Sequence, residues 1–472
     1  MKLVTDRIAF CRRKKAQATK LVVLALFLIC GFVLVNTLKK APQKSELITL
    51  PQDAAVKVYF NHNPVSEYKD PYRHFSRNGD NLEQQIIDAI NQAQSTVDLA
   101  VMEFRLPLVA EALIAKQKAG VKVRLVIDNK YNKTLADYTP EQIARMNQHD
   151  LYAFKELKRY PADALAMLRQ SGIEIKDDTS EGATKGSGLM HHKFVVVDGK
   201  MTVITSGNLT TSDMHGDFNS SESRGNPNNM VVVPDNAQLN KAFTDEFNYM
   251  WQGKFKSHKP YRAPVTIAAG SGTITLNFSP ASRKQDIKTT SNGLIAYFVQ
   301  QASVSVHIAV FVYSDQQISD TLGRVHDKGV KDIKVLIDPD FYRQPYSKAY
   351  DALGVCPPPG KRNSKIKVLP WQHPITTVGF PTAPMGDRGV HSKMAILDGV
   401  LAIAGSQNWS ISGNYSNDET LIVIENPTVA AHYEREFSRL YKTAVVGLSS
   451  LPRAQKCRPT HSSIITESKP YC

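Results

Sequence analysis

The sequence predicts an α/β protein made of two similar halves in one chain and preceded by one N-terminal transmembrane helix. Three observations carry this expectation: a helix, strand, helix, strand succession that returns 209 residues later, an 18-residue motif that returns 200 residues later, and an apolar run at residues 21–38.

The apolar run LVVLALFLICGFVLV, Leu21 to Val35, carries no polar side chain and continues to Leu38 before Lys39 and Lys40. At about 1.5 Å per residue its eighteen residues reach roughly 27 Å, enough for a hydrocarbon core. A cleaved signal peptide shares the basic-then-apolar pattern. The long basic segment before the run and the lack of an A-x-A-like site before Lys39 favour an uncleaved signal-anchor. Lys2, Arg7, Arg12, Arg13, Lys14, Lys15 and Lys20 precede the run, whereas Lys39, Lys40 and Lys44 follow it. The expected arrangement is a single-pass protein with a cytoplasmic N terminus, held to the membrane through residues 21–38, with everything after the span periplasmic or extracellular/lumenal.

The net charge of +14 invites a nucleic-acid reading. Eight of those charges sit in residues 1–40 and three in residues 446–472, so the bulk of the chain is nearly neutral. A hydrophobic content of 42% excludes wholesale disorder, and five cysteines exclude a disulfide-scaffold miniprotein. Cys11 and Cys30 belong to the tail and the span. Cys356, Cys457 and Cys472 allow one disulfide and one leftover thiol in an oxidising space. No Cys/His cluster has zinc spacing, so neither a metal nor another cofactor is expected, and no obligate protein partner is inferred.

The expected boundaries are a basic tail at 1–20, the span at 21–38, a linker at 39–56, a first half at 57–255, a linker at 256–265, a second half at 266–445 and a tail at 446–472. The first half opens with an amphipathic helix around Leu82 to Gln94. A strand from Val97 to Phe104, a helix from about Leu108 to Ala119 and a strand from Val121 to Asp128 follow. NQAQSTVDLAV at 91–101 returns as VQQASVSVHIAV from Val299, and AGVKVRLVID at 119–128 returns as KGVKDIKVLID from Lys328.

Residues 191–208 read HHKFVVVDGKMTVITSGN and residues 391–408 read HSKMAILDGVLAIAGSQN. Each copy reads as two short strands joined at Asp-Gly, a strong signal for a tight hairpin turn. Folding about the turn brings His191 and Lys193 opposite Ser206 and Asn208, and His391 and Lys393 opposite Ser406 and Asn408. Side chains two apart in a strand share a face, so each hairpin offers an imidazole, an ammonium and an amide on one patch. Asp198 and Asp398 lie roughly 23 Å along the strand from their own histidines, at the turn, and read as turn formers. His192, adjacent to His191, should point away from the patch.

Two such patches supply what a phosphodiester needs: Lys and Asn donors for the non-bridging oxygens, a nucleophile on one side and a proton donor for the leaving alkoxide on the other. The motifs resemble the H-x-K-x4-D-x6-G-S-x-N signature of the phospholipase D superfamily, over roughly residues 57–445. The second copy matches throughout, and the first has Thr205 where the family has Gly. The resemblance implies two α/β/α halves about a pseudo-twofold axis, one shared active site, a covalent phosphohistidine intermediate and no metal requirement. It also implies a carboxylate against an imidazole: Glu419, 28 residues after His391, is expected to orient His391, with Asn229 in the matching place of the first half. His191 is then the expected nucleophile and His391 the general acid/base. Lys193, Lys393, Asn208 and Asn408 bind phosphate, and Ser206, Ser406, Asp198 and Asp398 give support.

Within that resemblance, the anchor, which would hold the site near lipid headgroups, and the nearly neutral core favour a metal-independent phospholipase D-type hydrolase acting on phospholipid phosphodiesters and releasing phosphatidate and free headgroup. An extracytoplasmic nuclease is the alternative, a cardiolipin-synthase-like phosphatidyl transferase a third reading, and a phosphate-binding module a fourth. Trp371, His373, Arg388 and Tyr342, in the Pro- and Gly-rich stretch before the second motif, are candidates for shaping substrate access.

Overall fold

The computed structural model describes residues 48–358 and 368–457. The tail 1–20, the span 21–38, residues 39–47 of the 39–56 linker, Cys11, Cys30 and Cys472 lie outside the described residues. Among the described residues no helix is long and apolar enough to cross a membrane.

The repeat read from the sequence is a repeat of sheets. In the first half a seven-stranded sheet runs in the order Lys57–Phe60, Asn229–Pro234, Met201–Thr205, Lys193–Val197, Thr96–Val101, Lys122–Ile127, Glu174–Asp177. In the second the matching order is Gly272–Ser279, Glu419–Glu425, Leu401–Gly405, Lys393–Leu397, Ser305–Val310, Asp332–Ile337, Val378–Pro381, with Val265–Ala269 and Ala444–Val446 added at the two edges. The central strands Thr96–Val101 and Ser305–Val310 have near-continuous apolar burial, as strands covered on both faces require.

Helices Leu82–Asn91 and Pro107–Lys118 cover one face of the first sheet, and Ser291–Gln301 and Gln316–Asp327 cover the corresponding face of the second. The other faces turn inward. A third core joins both sheets through two fifteen-residue helices, Ala237–Trp251 and Pro427–Tyr441. Each starts at an asparagine whose side chain accepts from the first turn, Asn236 and Asn426. Phe243 of the first central helix lies edge-on to Phe194 of its own half (5.0 Å) and to Phe278 of the other (5.2 Å). The described residues from Thr49 onward therefore form one compact unit.

Three sequence boundaries are revised. The end of the 39–56 linker belongs to the fold: Val56 is fully buried, and His432 on the second central helix bonds the Pro51 carbonyl. The 256–265 connection is packed, with Lys256 paired to Asp178 and Lys259 to Asp418. The tail from 446 is part of the second half as far as Cys457, because Gln455–Lys456 pairs with Val355–Cys356 and a Cys356–Cys457 disulfide closes the pair.

Candidate active site

Both motifs fold as the hairpins expected. In the first, Lys193–Val197 pairs with Met201–Thr205, and the turn between them places Asp198 and Gly199 at positive φ, as a type I′ turn requires. The Asp198 carboxylate accepts the N–H groups of Gln94, Ser95 and Thr96, which holds it well below the usual carboxylate range despite its partial burial, at about 2. Asp398 does the same for Ser303, Val304 and Ser305. Each motif aspartate thus ties its hairpin to the loop before the neighbouring strand, at the end remote from the histidine.

The segment leading into each histidine is anchored by the aspartate that follows a strand, Asp128 after Lys122–Ile127 and Asp338 after Asp332–Ile337. Asp128 Oδ2 accepts the Met190 N–H (2.9 Å), and Asp338 Oδ2 accepts those of Gly389 (3.0 Å) and Val390. Each lead-in then pairs with the opposite half. The His191 N–H donates to the Asp418 carbonyl (2.9 Å), while His391 and Ser392 donate to the Pro227 carbonyl. These reciprocal contacts decide which groups meet the imidazoles.

His191 Nδ1 is 2.6 Å from Glu419 Oε2. His391 Nδ1 is 3.0 Å from Asn228 Oδ1. The expectation that Glu419 orients His391 is corrected: the carboxylate crosses to the other half, because Glu419 follows directly on Asp418, the residue paired with His191. Asn229 is likewise not its counterpart. Ser406 Oγ donates to Glu419 (2.8 Å) and accepts from the Thr420 N–H (2.9 Å), whereas Ser206 Oγ donates to Asn228 (2.8 Å) and accepts from the Asn229 N–H (3.0 Å). Position 228 therefore matches 419, one residue before the place expected. Asn229 instead accepts from the Tyr433 hydroxyl.

Thr205 costs the site nothing. Gly405 sits at φ +117° with its missing Cβ aimed at the Thr420 carbonyl, 2.3 Å away, so only glycine fits there. Thr205 is outside the positive-φ region, and its hydroxyl donates to the Asn229 carbonyl.

Lys193 and Lys393 are buried, and each ammonium donates to the carbonyl of its own motif histidine. Burial depresses the first to about 8, against the pull of Glu419 and Asp213. Burial together with Lys193 depresses the second to about 7. His191 is lowered to about 4 by burial, opposed by Glu419 and assisted by Lys193. His391 is pushed well down by burial, then by Lys393, Lys193, His191 and Arg388. Asn208 and Asn408 each leave a buried side-chain oxygen without a partner. Amide oxygen and nitrogen are interchangeable by rotation, so these two groups are free to turn an N–H₂ to an anion. Phe311 closes the His391 side, 4.8 Å from the imidazole and 5.0 Å from the Lys393 ammonium.

His192 points away as expected, into a buried network with Thr420 and Glu246. His192, Glu246 and Asp418 bring ligand atoms within 4.8 Å of one another. The Lys259 ammonium is bonded to Glu246 and, at 2.7 Å, to Asp418, so the cationic place in that cluster is already taken. Of the four residues considered for substrate access, only Arg388 reaches the site, over Phe311. Trp371 is buried with Nε1 on Ser319, the Tyr342 hydroxyl bonds Ser450, and His373 pairs with Asp327 at the surface. Sequence reasoning missed Asn228, Phe311 and Asp213, which lies 3.4 Å from His391 Nδ1. The repeated Ser offers a handle for Asn228, but Asp213 has no counterpart, because position 413 is glycine. A separate cleft of about 560 Å³, lined in part by Lys185, Gly188, His258, Pro280 and Tyr415, opens beside the lead-in to His191.

Two hairpins exchanging contacts across a shared core, with paired histidines and lysines drawn from both, define a duplicated α/β protein with one composite site. A family model described as "Cardiolipin synthase, PLD-like domain" matches residues 86–251 and 295–441, and the chain belongs to this phospholipase D-like family. It is 28% identical over 160 residues to a Xenopus laevis protein named mitochondrial cardiolipin hydrolase, a match covering 34% of this chain and 56% of that protein. It is 29% identical over 162 residues to a Rickettsia typhi protein named phospholipase D, covering 33% and 68%. The chain thus spans little more than half the length of the Xenopus relative. The crystal structure of a phosphatidylserine synthase from Haemophilus influenzae superposes with a TM-score of 0.51 at 12% identity, over 84% of this chain and 88% of that one, which shows likeness of fold.

Proposed function

We propose that the protein is a phosphodiesterase of phospholipase D type that hydrolyses phospholipids to phosphatidate and free headgroup without a metal ion or other cofactor. The observation that carries the reading is the pair of buried imidazoles, each held through Nδ1 by a group from the other half: Glu419 on His191 and Asn228 on His391. A carboxylate on Nδ1 fixes that nitrogen as the protonated one and leaves Nε2 with its lone pair, while burial keeps the ring neutral. His191 Nε2 attacks phosphorus. The P–O bond to the headgroup breaks as His391 Nε2 delivers a proton to the departing oxygen. Water then gives a proton to His391, its oxygen attacks phosphorus, and the P–N bond breaks to return neutral His191. Lys193, Lys393, Asn208 and Asn408 balance the charge on the non-bridging oxygens. The bound anion in turn offsets the two ammonium charges that depress His391, so the ring gains proton affinity when substrate is present.

Lipid as substrate is supported by the names of the relatives and by the apolar run 21–38, which would hold the site beside headgroups with the catalytic region outside the cytoplasm. The Cys356–Cys457 disulfide supports that side of the membrane. The test incubates the full-length protein in mixed micelles with phosphatidylcholine, phosphatidylglycerol or cardiolipin, and separately with single- and double-stranded DNA, with and without chelator. Release of phosphatidate and headgroup that survives chelation and is lost in His191→Ala is expected. DNA cleavage without lipid hydrolysis would replace the reading with a nuclease, and transfer to added lipid alcohol in place of hydrolysis would replace it with a transferase.

A further inference from the structure

The two imidazoles have unlike partners at matching positions, a carboxylate at 419 and an amide at 228. A carboxylate does come near His391 from the first half, at Asp213. Residue 213 is the third residue of the short helix Thr211–Met214, whose cap, Thr210, bonds the 213 N–H. In the second half the cap Ser410 bonds the N–H of Gly413 in the same way. At 413 a Cβ would come within 2.3 Å of the Asn408 carbonyl, so that half cannot carry a side chain there.

Asp213 is nearly buried, and its carboxylate is held on two sides. Oδ2 accepts the Asn208 N–H at 2.7 Å, and Oδ1 accepts Asn226 Nδ2 at 2.6 Å and lies 3.4 Å from His391 Nδ1. Its backbone carbonyl, with that of Asn226, takes both donors of the Asn228 amide at 3.1 Å. That leaves Asn228 Oδ1 to accept from Ser206 and His391, which assigns the proton of neutral His391 to Nδ1 and the titrating lone pair to Nε2. The amide can orient the ring but cannot balance a charge on it. Burial, then Lys393, Lys193, His191 and Arg388 lower the proton affinity of His391, and the Phe311 ring lies 4.8 Å from it; the Asp338 carboxylate, before the same motif, is taken up by the Gly389 and Val390 N–H groups.

We infer that Asp213 is a positioning residue of the acid histidine: it supplies to His391 the countercharge that position 228 lacks, so that the imidazolium form is reached when the leaving oxygen must be protonated. Each imidazole thereby has one carboxylate from the opposite half, Glu419 for His191 and Asp213 for His391. The inference rests on the proposed acid role of His391.

The test compares wild type, Asp213→Asn and the double variant Asp213→Asn/Asn228→Asp on two substrates that share the phosphatidyl group, phosphatidylcholine and phosphatidyl-p-nitrophenol. With the countercharge gone His391 is harder to protonate, so the choline ester, a poor leaving group, should slow at least about tenfold while the p-nitrophenyl ester is within about threefold of wild type. The alkaline limb of the kcat profile for phosphatidylcholine should move to lower pH. The double variant, which restores a carboxylate at Nδ1, should recover most of the loss. Equal slowing of both substrates, an unmoved alkaline limb, or no recovery in the double variant would make Asp213 merely structural and overturn the inference. NMR titration of ring-labelled histidine gives a readout independent of turnover: the His391 pKa should fall in Asp213→Asn, and an unchanged value overturns the inference. Absence of all diester hydrolysis by the wild type would instead strike the proposed function.

Discussion

Glu419 of the second half is hydrogen-bonded to His191 of the first at 2.6 Å, and it reaches there because the residue before it, Asp418, accepts the His191 backbone N–H. The partner of His191, the proposed nucleophile, is thus fixed by main-chain pairing between halves rather than by a flexible side chain. Neither half alone contains a complete catalytic set.

Glu419→Gln keeps the shape of the side chain and the hydrogen bond from Ser406 but removes the charge that stabilises a phosphorylated, cationic His191. Phosphoenzyme formation should fall by about 10²- to 10⁴-fold, as when other catalytic histidines lose a carboxylate. Rapid-quench measurement of the first turnover checks this. A loss of only a few-fold would reduce Glu419 to a packing role.

Lys193 and Lys393 carry depressed values, about 8 and about 7, below the ordinary lysine value of 10.5. The folded state therefore resists protonating them. In the absence of anion their contribution to stability is present at alkaline pH and declines as pH falls through these values. Anion binding has the opposite sign, since it needs the charged forms and is lost as pH rises through the same window. Tungstate should raise the melting temperature more at about pH 6 than at about pH 9. An equal rise at both would show that the ammonium groups do not titrate there.

What was legible in the sequence was whatever a single chain segment encodes. The Asp-Gly turns, the strand alternation placing His191 with Lys193, and the repeated Ser-x-Asn all emerged as local geometry. The partner of each histidine was not legible, because a symmetric repeat has the same spacing whether a carboxylate serves its own half or the opposite one. Only the main-chain pairing of 191 with 418 and of 391 with 227 distinguishes the two. Asn228 was displaced to Asn229 by the longer loop of the first half, whose extra residues make its register with the second half ambiguous. Asp213 was invisible because it breaks the repeat. Trp371 and Tyr342 read as loop residues but fill the outer core of the second half, which no local pattern in that Pro- and Gly-rich stretch announces.

The Cys356–Cys457 bridge closes a loop across a sequence separation of 101 and pins the segment at 455–457 to the second half. Cys356→Ser should cost about 2–4 kcal/mol of stability, chiefly by freeing the unfolded chain. Chemical denaturation with and without reductant measures it. A reduced protein as stable as the oxidised one would show that the Gln455–Lys456 pairing alone holds that segment in place.

Phe243 touches Phe194, the residue after Lys193, and Phe278 of the other half. Phe243→Ala opens the core the halves share and should cost about 3–5 kcal/mol, with residues 49–457 still unfolding in one transition. Calorimetry resolving two separate transitions would show that the halves are independent domains rather than one cooperative unit.

The two histidines should fail in different ways. His191→Ala removes the attacking nitrogen, so no phosphoenzyme should form with any leaving group. His391→Ala keeps the His191 and Glu419 pair, and with phosphatidyl-p-nitrophenol, whose leaving oxygen needs little protonation, the first step should proceed. The second should be slow, because the same His391 takes the proton from water. The variant should release a burst of about one p-nitrophenolate per site and then turn over slowly, with the phosphatidyl group retained on residue 191. With phosphatidylcholine both steps need His391, and no burst is expected. Mass spectrometry of quenched digests locates the adduct. Phosphate recovered on His391 in the His191→Ala protein would exchange the two roles, with Asn228 and Asp213 then serving the nucleophile and Glu419 the acid.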